Sequence, residues 1–235
     1  MRPTLLSLLV CAAVLLRSAA ALAQAQADED DARYAWLVGE LAQSERSDRT
    51  WWRAWTASYA ALAVGQGTFA LAVKDQGLRA DATVGAVKTT LGLLALLLLP
   101  QTPRWAVASL REMDAATPQA RRLRRLRAEE LLQTSAKEET FGISWVPHVA
   151  AAATNLAGAF ILFHEYKRFV PGWISLASGT LVAELQIVTQ PTNSMGAQGR
   201  YARDFASPST ARTAHPGLAW SVAPTLGGLV VSGSF

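Results

Sequence analysis

The sequence predicts an all-α membrane protein: a bundle of about four transmembrane helices with an amphipathic N-terminal helix, a helical middle loop and a short β-hairpin in the tail. Two observations favour this fold class. Of the 235 residues, 51% are hydrophobic and only 17% are charged, below the soluble-protein average of about 25%. The apolar residues also form runs long enough to cross the hydrocarbon layer as helices, which takes about 20 residues.

The first 23 residues have the organisation of a secretory signal peptide. Arg2 supplies a positive charge, an apolar run follows over residues 5–16, and residues 21–23 form an Ala-Leu-Ala cleavage site. We therefore expect the mature chain to begin at Gln24; the alternatives are cleavage two or four residues later, or an uncleaved anchor helix. The only cysteine, Cys11, lies in this leader, so the mature chain has no disulfide and no cysteine-based metal site.

Residues 24–50 are predicted to form an amphipathic helix outside the membrane. They open with four acidic residues at 28–31, which suits the positive end of a helix. Apolar side chains then recur at the helical spacing i, i+3, i+4 and i+7, at Tyr34, Leu37, Val38 and Leu41. This stripe either packs on the rest of the protein, the simpler interpretation, or lies on the membrane surface.

Residues 51–190 are predicted to hold the transmembrane bundle. Its four apolar segments are residues 51–73, 82–99, 143–163 and 171–188. Tryptophans lie near the ends of these segments, which is typical of the interface between lipid and water. The first and fourth segments are the weaker predictions, because they carry Gln66 and Glu184.

The middle loop, residues 101–142, is predicted to be partly helical. Thr117 and Pro118 suit the N-cap and first position of a helix that runs to about Glu139. Its arginines are candidates for contact with anionic lipid at the membrane surface: Arg121, Arg122, Arg124, Arg125 and Arg127. The alternative is a solvated helix whose arginines form surface salt bridges.

The tail, residues 191–235, is polar at first and then alternates between apolar and small or polar residues. Leu218, Trp220 and Val222 form one alternating run, and a second run ends at Phe235. Turn-forming residues at 224–228 separate the two runs. This pattern predicts a short β-hairpin.

Two rules for orientation disagree. A leader followed by four spans places both termini and the middle loop on the periplasmic side of a bacterial inner membrane. The positive-inside rule predicts the reverse, because the arginines of the middle loop would otherwise face outward. We adopt the first threading, since the charge, apolar run and cleavage site of the leader agree with one another.

The chemistry-bearing residues form no catalytic, cofactor or metal motif. The sequence has no nucleotide-binding loop, nucleophile elbow or zinc-protease signature. The three histidines, His148, His164 and His215, do not have metal-ligand spacing. Nucleic-acid-binding motifs are also missing, so the formal net charge of +4 is attributed to contact with membrane.

Polar residues inside the spans are the candidate functional residues, because they are costly in lipid: Glu184, His148, Lys88, Gln66 and Asn155. Counting ~1.5 Å per residue places the first two at one level below the outer face, and the other three at a second level measured from the inner face. Two such layers indicate either a polar track or ligand site, or hydrogen bonds that fix the packing of the helices.

The sequence therefore predicts a non-enzymatic membrane protein of structural or interaction type in the cell envelope, with enzymatic activity left uncertain. The alternative is a small transporter or channel component that uses the buried polar residues. The lipid bilayer is the predicted partner in both cases.

Overall fold

A computed structural model describes the backbone of residues 5–99, 101–205, 219–225 and 228–234, and the side chains of most residues between 24 and 205. Helices dominate the described residues. Their elements, in chain order, are α1 (Leu5–Ala72), α2 (Gln76–Leu98), α3 (Pro103–Arg111), α4 (Pro118–Gly142), α5 (Trp145–His164), α6 (Phe169–Val188), α7 (Asn193–Phe205), β1 (Ala219–Thr225) and β2 (Gly228–Ser234).

The first helix is a single element of 68 residues. It contains the predicted leader, the acidic segment and the first predicted span, and the sequence boundaries at residues 23 and 50 are not helix ends. The physical reason is the absence of a helix breaker: proline does not occur between Pro3 and Pro100, and Gly39 is the only glycine before Gly65. Changes in composition along α1 are therefore changes of environment within one helix.

The C-terminal part of α1, residues 51–72, packs against α2, and α5 packs against α6. We call these four elements the four-helix part. The predicted second span began at residue 82, but α2 begins at Gln76, because the side chain of Asp75 caps it by accepting a hydrogen bond from the Leu78 amide at 2.8 Å. Glycines allow close approach within both pairs: a Cβ at Gly92 would lie 2.8 Å from the Tyr59 ring.

The remaining part of the core consists of residues 27–50 of α1 together with α3 and α4, which we call the three-helix part. Its centre is made of leucines with almost no exposed surface: Leu37, Leu41, Leu110, Leu131 and Leu132. The amphipathic stripe of the N-terminal segment therefore packs within the protein. As predicted, Thr117 caps α4, with its hydroxyl 3.1 Å from the Ala120 amide nitrogen. Helices α3 and α7 were not predicted.

In the described part of the chain, two segments are long and apolar enough to cross a membrane. They are Gln76–Arg111, which contains α2, and Trp145–His164, which is α5. The second half of α1 and α6 fall short of this criterion. Glu184 and Gln186 lower the mean hydropathy of α6, as Gln66 does for α1. The all-helical bundle is thus present, and two of its helices have the character of membrane spans.

A second compact unit comprises residues 199–235. Its two strands, β1 and β2, form an antiparallel hairpin in which Trp220 pairs with Gly233 and Val222 pairs with Val231. The hairpin lies where the alternating pattern predicts one. Leu218 and Phe235, which begin and end that pattern, lie outside the described residues.

Candidate functional site

Lys88 joins three helices of the four-helix part. Its Nζ, on α2, donates to Asn155 Oδ1 on α5 at 3.0 Å, and to the backbone oxygen and Oγ of Ser175 on α6 at 2.9 and 2.8 Å. The ammonium group is thus held between the helices and does not extend to the end of α2. Asn155 is only 5% exposed, and its amide nitrogen donates to the Ala151 carbonyl at 2.9 Å. Lys88 and Asn155, which the sequence analysis placed at the same level, are thus in contact.

Two glycines make room for these polar side chains. A Cβ at Gly179 would lie 2.0 Å from Asn155 Oδ1 and 2.8 Å from Lys88 Nζ. A Cβ at Gly158 would lie 2.8 Å from Lys88 Cδ. A larger residue at either position forces the polar group to move, so the small residues are part of the arrangement.

A cleft of about 550 Å³ lies beside this group, between the α1–α2 pair and the α5–α6 pair. We call it the polar cleft. Gln66, Lys88 and Asn155 all line it, so the three residues predicted at the second level share one cavity. Gln66 Oε1 is buried without a hydrogen-bond partner among the described residues. The Tyr59 hydroxyl donates to Gln186 Oε1 at 2.6 Å across the same cleft.

His148 and Glu184, the predicted outer pair, are in contact. Nδ1 of His148 and Oε2 of Glu184 are 2.7 Å apart. Both side chains are 38% exposed, and neither residue lines the polar cleft. Position along a helix predicts depth, but it does not predict which face of the α5–α6 pair a side chain occupies.

The arginines of α4 are used mainly within the protein. Arg125 Nε lies 2.7 Å from Asp30 and Arg121 Nη1 lies 3.1 Å from Asp31, both on the acidic segment of α1. Arg124 stacks over the Tyr34 ring, 4.0 Å from its centroid. Arg127 pairs with Glu130, whereas Arg122 is exposed. The acidic segment thus neutralises part of the positive charge of α4, whose arginines were candidates for contact with anionic lipid.

A second group, not predicted from the sequence, contains three carboxylates where α1 meets α4. Glu138 accepts hydrogen bonds from the backbone nitrogen and hydroxyl of Thr102 at 2.7 and 2.6 Å. Glu139, 3% exposed, accepts from the amides of Ser194 and Met195 at 2.9 and 2.8 Å. The two glutamates therefore anchor the first turns of α3 and α7.

The third carboxylate, Asp48, has no comparable support. It is 9% exposed, and its Oδ2 has no hydrogen-bond partner in the part of the chain that the structure describes. Burial raises the pKa of Asp48 to about 7, with further increases from Glu139 and Glu138 and an opposing effect of Arg104. Burial also raises the pKa of Glu139, despite its hydrogen bonds to Met195 and Ser194.

Asp48 lines a cavity of about 370 Å³, which we call the Asp48 cavity. Ser135 lines it too; this residue is fully buried, and its Oγ has no partner among the described residues. The sequence analysis singled out neither residue, since Asp48 lies in the polar run at residues 44–50 and Ser135 lies in the charged helix of the middle loop. In the structure, Arg104 of α3 and Glu138 and Glu139 of α4 lie close enough to Asp48 to affect its charge.

The chain matches no protein-family model, and neither a curated protein nor a solved structure shows significant similarity to it. Among the described residues, no cluster of three histidine, cysteine, aspartate or glutamate side chains is arranged to hold a metal ion.

Proposed function

We propose that this chain is a non-enzymatic, interaction-type membrane protein of the bacterial inner membrane, with residues 51–72 of α1 and helices α2, α5 and α6 all crossing the bilayer. The observation that carries the proposal is the exposure of apolar side chains on all four elements. Those exposed by more than half include Val64, Leu71, Val87, Leu98, Leu156, Phe160, Val170, Ile174, Leu181 and Val188. Exposed apolar surface on this scale is typical of contact with lipid or with a partner.

The contrast with the three-helix part supports lipid contact. There the large apolar side chains of the core, such as Leu37 and Leu131, are fully buried. In the four-helix part, Lys88 binds Asn155 and Ser175 between the helices, beside buried apolar residues such as Leu162, while many large apolar side chains face outward. Polar side chains paired inside a bundle, with apolar residues on its outside, are the arrangement that lipid favours.

Aromatic residues near both ends of the four-helix part support the same proposal. At one end the indole nitrogens of Trp51 and Trp55 donate to Thr189 Oγ1 at 3.3 and 3.1 Å. At the other end Tyr166 and Trp173 are half or more exposed. Tryptophan and tyrosine prefer the headgroup level of a bilayer.

Cysteine labelling in intact spheroplasts tests the four-span threading. Single cysteines replace Lys74 between α1 and α2, Tyr166 between α5 and α6, and Gln133 on α4, in a chain whose native cysteine is changed to serine. All three positions are exposed. An impermeant maleimide should label Gln133→Cys in intact cells, and should label the other two only after the membrane is opened.

Labelling after solubilisation in detergent is the control for reactivity of each cysteine. The reverse pattern would keep the four spans and invert the orientation, in agreement with the positive-inside rule. Labelling of Lys74→Cys together with Gln133→Cys from the same side would show that α2 does not cross, and would contradict the proposal.

A small transporter or channel component is the second candidate, favoured by the polar cleft. A lysine ammonium at its wall suits an anionic solute, because Lys88 is the charged residue among the cleft-lining side chains. The test is anion flux into proteoliposomes. Lys88→Met should reduce the flux at least about tenfold, whereas Lys74→Met, at an exposed lysine outside the cleft, should not. Absence of flux with the unchanged protein would reject this candidate.

A further inference from the structure

The Asp48 cavity contains two buried polar atoms that lack partners. Asp48 Oδ2 and Ser135 Oγ, from α1 and α4, have no hydrogen-bond partner among the described residues, although both residues are at least nine-tenths buried. Buried polar atoms are paired in the great majority of cases, since leaving one unpaired costs free energy. Two such atoms from facing helices on one cavity indicate a ligand that supplies hydrogen-bond donors.

The charges around the cavity define the ligand further. Glu138 and Glu139 face Asp48 from α4, and both are engaged with backbone amides. Arg104 faces it from α3, and the exposed Lys137 lies at the cavity wall. The unmet requirement is thus a cation with N–H donors. Mg²⁺ or Ca²⁺ is a poor fit, because each takes six or more oxygen ligands, and one carboxylate oxygen with one hydroxyl provide too few.

The rest of the wall is apolar and continues into the polar cleft. Trp51, Leu96 and Phe141 line the Asp48 cavity. Both cavities are lined by Leu99, Phe141, Pro147, Gln186 and Ile187. A ligand whose charged head lies at Asp48 therefore has a path for an apolar chain between the two helix pairs. The volume of the Asp48 cavity, about 370 Å³, is at the small end of the range for ligand sites. This small volume favours a ligand with one apolar chain over a ligand with two.

We propose that Asp48 and Ser135 bind the ammonium group of a single-chain amphiphilic amine, whose apolar chain lies in the polar cleft. The ammonium donates to Asp48 Oδ2 and to Ser135 Oγ, and Trp51 contacts the first carbons of the chain. This proposal concerns binding and is independent of the four-span threading and of transport.

Binding of such an amine should depend on pH. The ammonium requires the ionised form of Asp48, whose pKa is about 7 in the presence of Glu138, Glu139 and Arg104. Affinity should therefore be constant above about pH 8 and fall as the proton competes below pH 7, approaching tenfold per pH unit. An alkylammonium itself keeps its charge to about pH 10, as lysine does.

The experiment titrates the full chain in a non-ionic maltoside detergent with octylammonium, octanol and octanoate at pH 8, following tryptophan fluorescence. Trp51 is the expected reporter, and Trp51→Phe should remove most of the signal. Octylammonium should bind at least about tenfold more tightly than octanol, because a charge-assisted hydrogen bond is stronger than a neutral one, and octanoate should bind most weakly. Competition by the detergent is common to all three probes, so the ratios remain comparable.

Two variants and their matched controls test whether octylammonium binds at Asp48 and Ser135. Asp48→Asn should remove the preference for octylammonium over octanol and its pH dependence. Ser135→Ala should weaken octylammonium binding several-fold. Ser109→Ala on α3 and Glu112→Gln at the C-cap of α3, at positions that do not line the cavity, should bind as the unchanged protein does.

Equal affinities for the three probes, or a preference that survives in Asp48→Asn, would overturn the proposal. If Asp48→Asn does not fold, Ser135→Ala and the pH dependence of the unchanged protein still decide the question. A double-chain phosphatidylethanolamine that displaces octylammonium at lower concentration than dodecylammonium does would contradict the single-chain assignment.

Discussion

At the scale of single residues, Asp48 links the site to protein stability. Its pKa is about 7 in the folded protein against an ordinary value of 3.8. The folded state therefore holds this proton more tightly than the unfolded state, so the stabilising effect is complete below about pH 4 and is lost as the pH rises to about 7. The pKa of Glu139 is raised too, so it acts in the same direction.

We predict that Asp48→Asn raises the free energy of unfolding at pH 8 by about 1–3 kcal/mol, since each unit of pKa shift corresponds to about 1.4 kcal/mol. The variant should also lose much of the decline between pH 4 and pH 7. Denaturation in detergent across this range measures both effects. The exposed Glu112→Gln is the control; a profile for Asp48→Asn that matches it would contradict the prediction.

The pair His148 and Glu184 supplies a second prediction at this scale. Their side chains are 2.7 Å apart, so Glu184→Gln and His148→Ala should be non-additive, with a coupling of at least ~0.5 kcal/mol. A double-mutant cycle on the stability of the detergent-solubilised protein measures it. Additive effects would show that the contact contributes nothing to stability.

The sequence predicted which residues lie at the same height along neighbouring helices. Counting along helices brought His148 to Glu184 and Lys88 to Asn155, because helical rise converts residue number into height. Asp48 was missed, because its own segment is polar and its burial depends on how α3 and α4 pack against α1. The sequence of a polar segment gives no sign of burial that arises from contacts with distant helices.

At the scale of elements, the glycines on facing helices set how closely α2, α5 and α6 pack. We predict that Gly179→Ala destabilises the protein by about 1–3 kcal/mol, because its Cβ would lie 2.0 Å from Asn155 Oδ1. Gly67→Ala is the matched control: a Cβ there meets no atom within 4 Å among the described residues, and alanine favours helix. Thermal unfolding of both variants in detergent measures the difference.

Equal stability of the two glycine variants would show that Asn155 and Lys88 adjust to a methyl group without cost. The contact between Lys88 Nζ and Ser175 would then be flexible, which would weaken the case for a fixed polar group in the cleft.

Helix ends were predictable where a local cap was recognised. Thr117 followed by Pro118 predicts the start of α4, and the structure has it there. Thr102 followed by Pro103 has the same residue types at the start of α3, but Thr102 makes no capping hydrogen bond, and its hydroxyl donates instead to Glu138 Oε1. A short amphipathic helix depends on its neighbours for stability, so its own sequence is a weak indicator.

At the scale of the whole molecule, α1 connects two environments in one element. Residues 27–50 lie in the three-helix part, where apolar side chains are buried, and residues 51–72 lie in the four-helix part, where they face outward. The composition predicted this change of environment, but it also predicted that one helix ends and another begins near residue 50. Continuity follows from the lack of proline and from ion pairs such as Arg125 with Asp30, which hold the acidic segment in helical form against α4.

The predicted removal of residues 1–23 tests how much of α1 the rest of the protein needs. Helix α1 is 68 residues long, or about 100 Å at ~1.5 Å per residue, and its first buried residue among the described side chains is Ala27. Before it, Arg17, Ala21, Gln24, Ala25 and Gln26 are exposed. Cleavage after Ala23 would therefore leave the packing of the three-helix part unchanged.

We predict that the protein purified from membranes begins at Gln24, and that a chain starting there has the same stability as the full chain to within about 0.5 kcal/mol, because the buried side chains described on α1 begin at Ala27. N-terminal sequencing and paired unfolding curves measure the two quantities. A start at residue 28 or later removes Ala27, which is only 7% exposed, and should lower stability. An intact Met1 would show that residues 5–23 remain as an anchor.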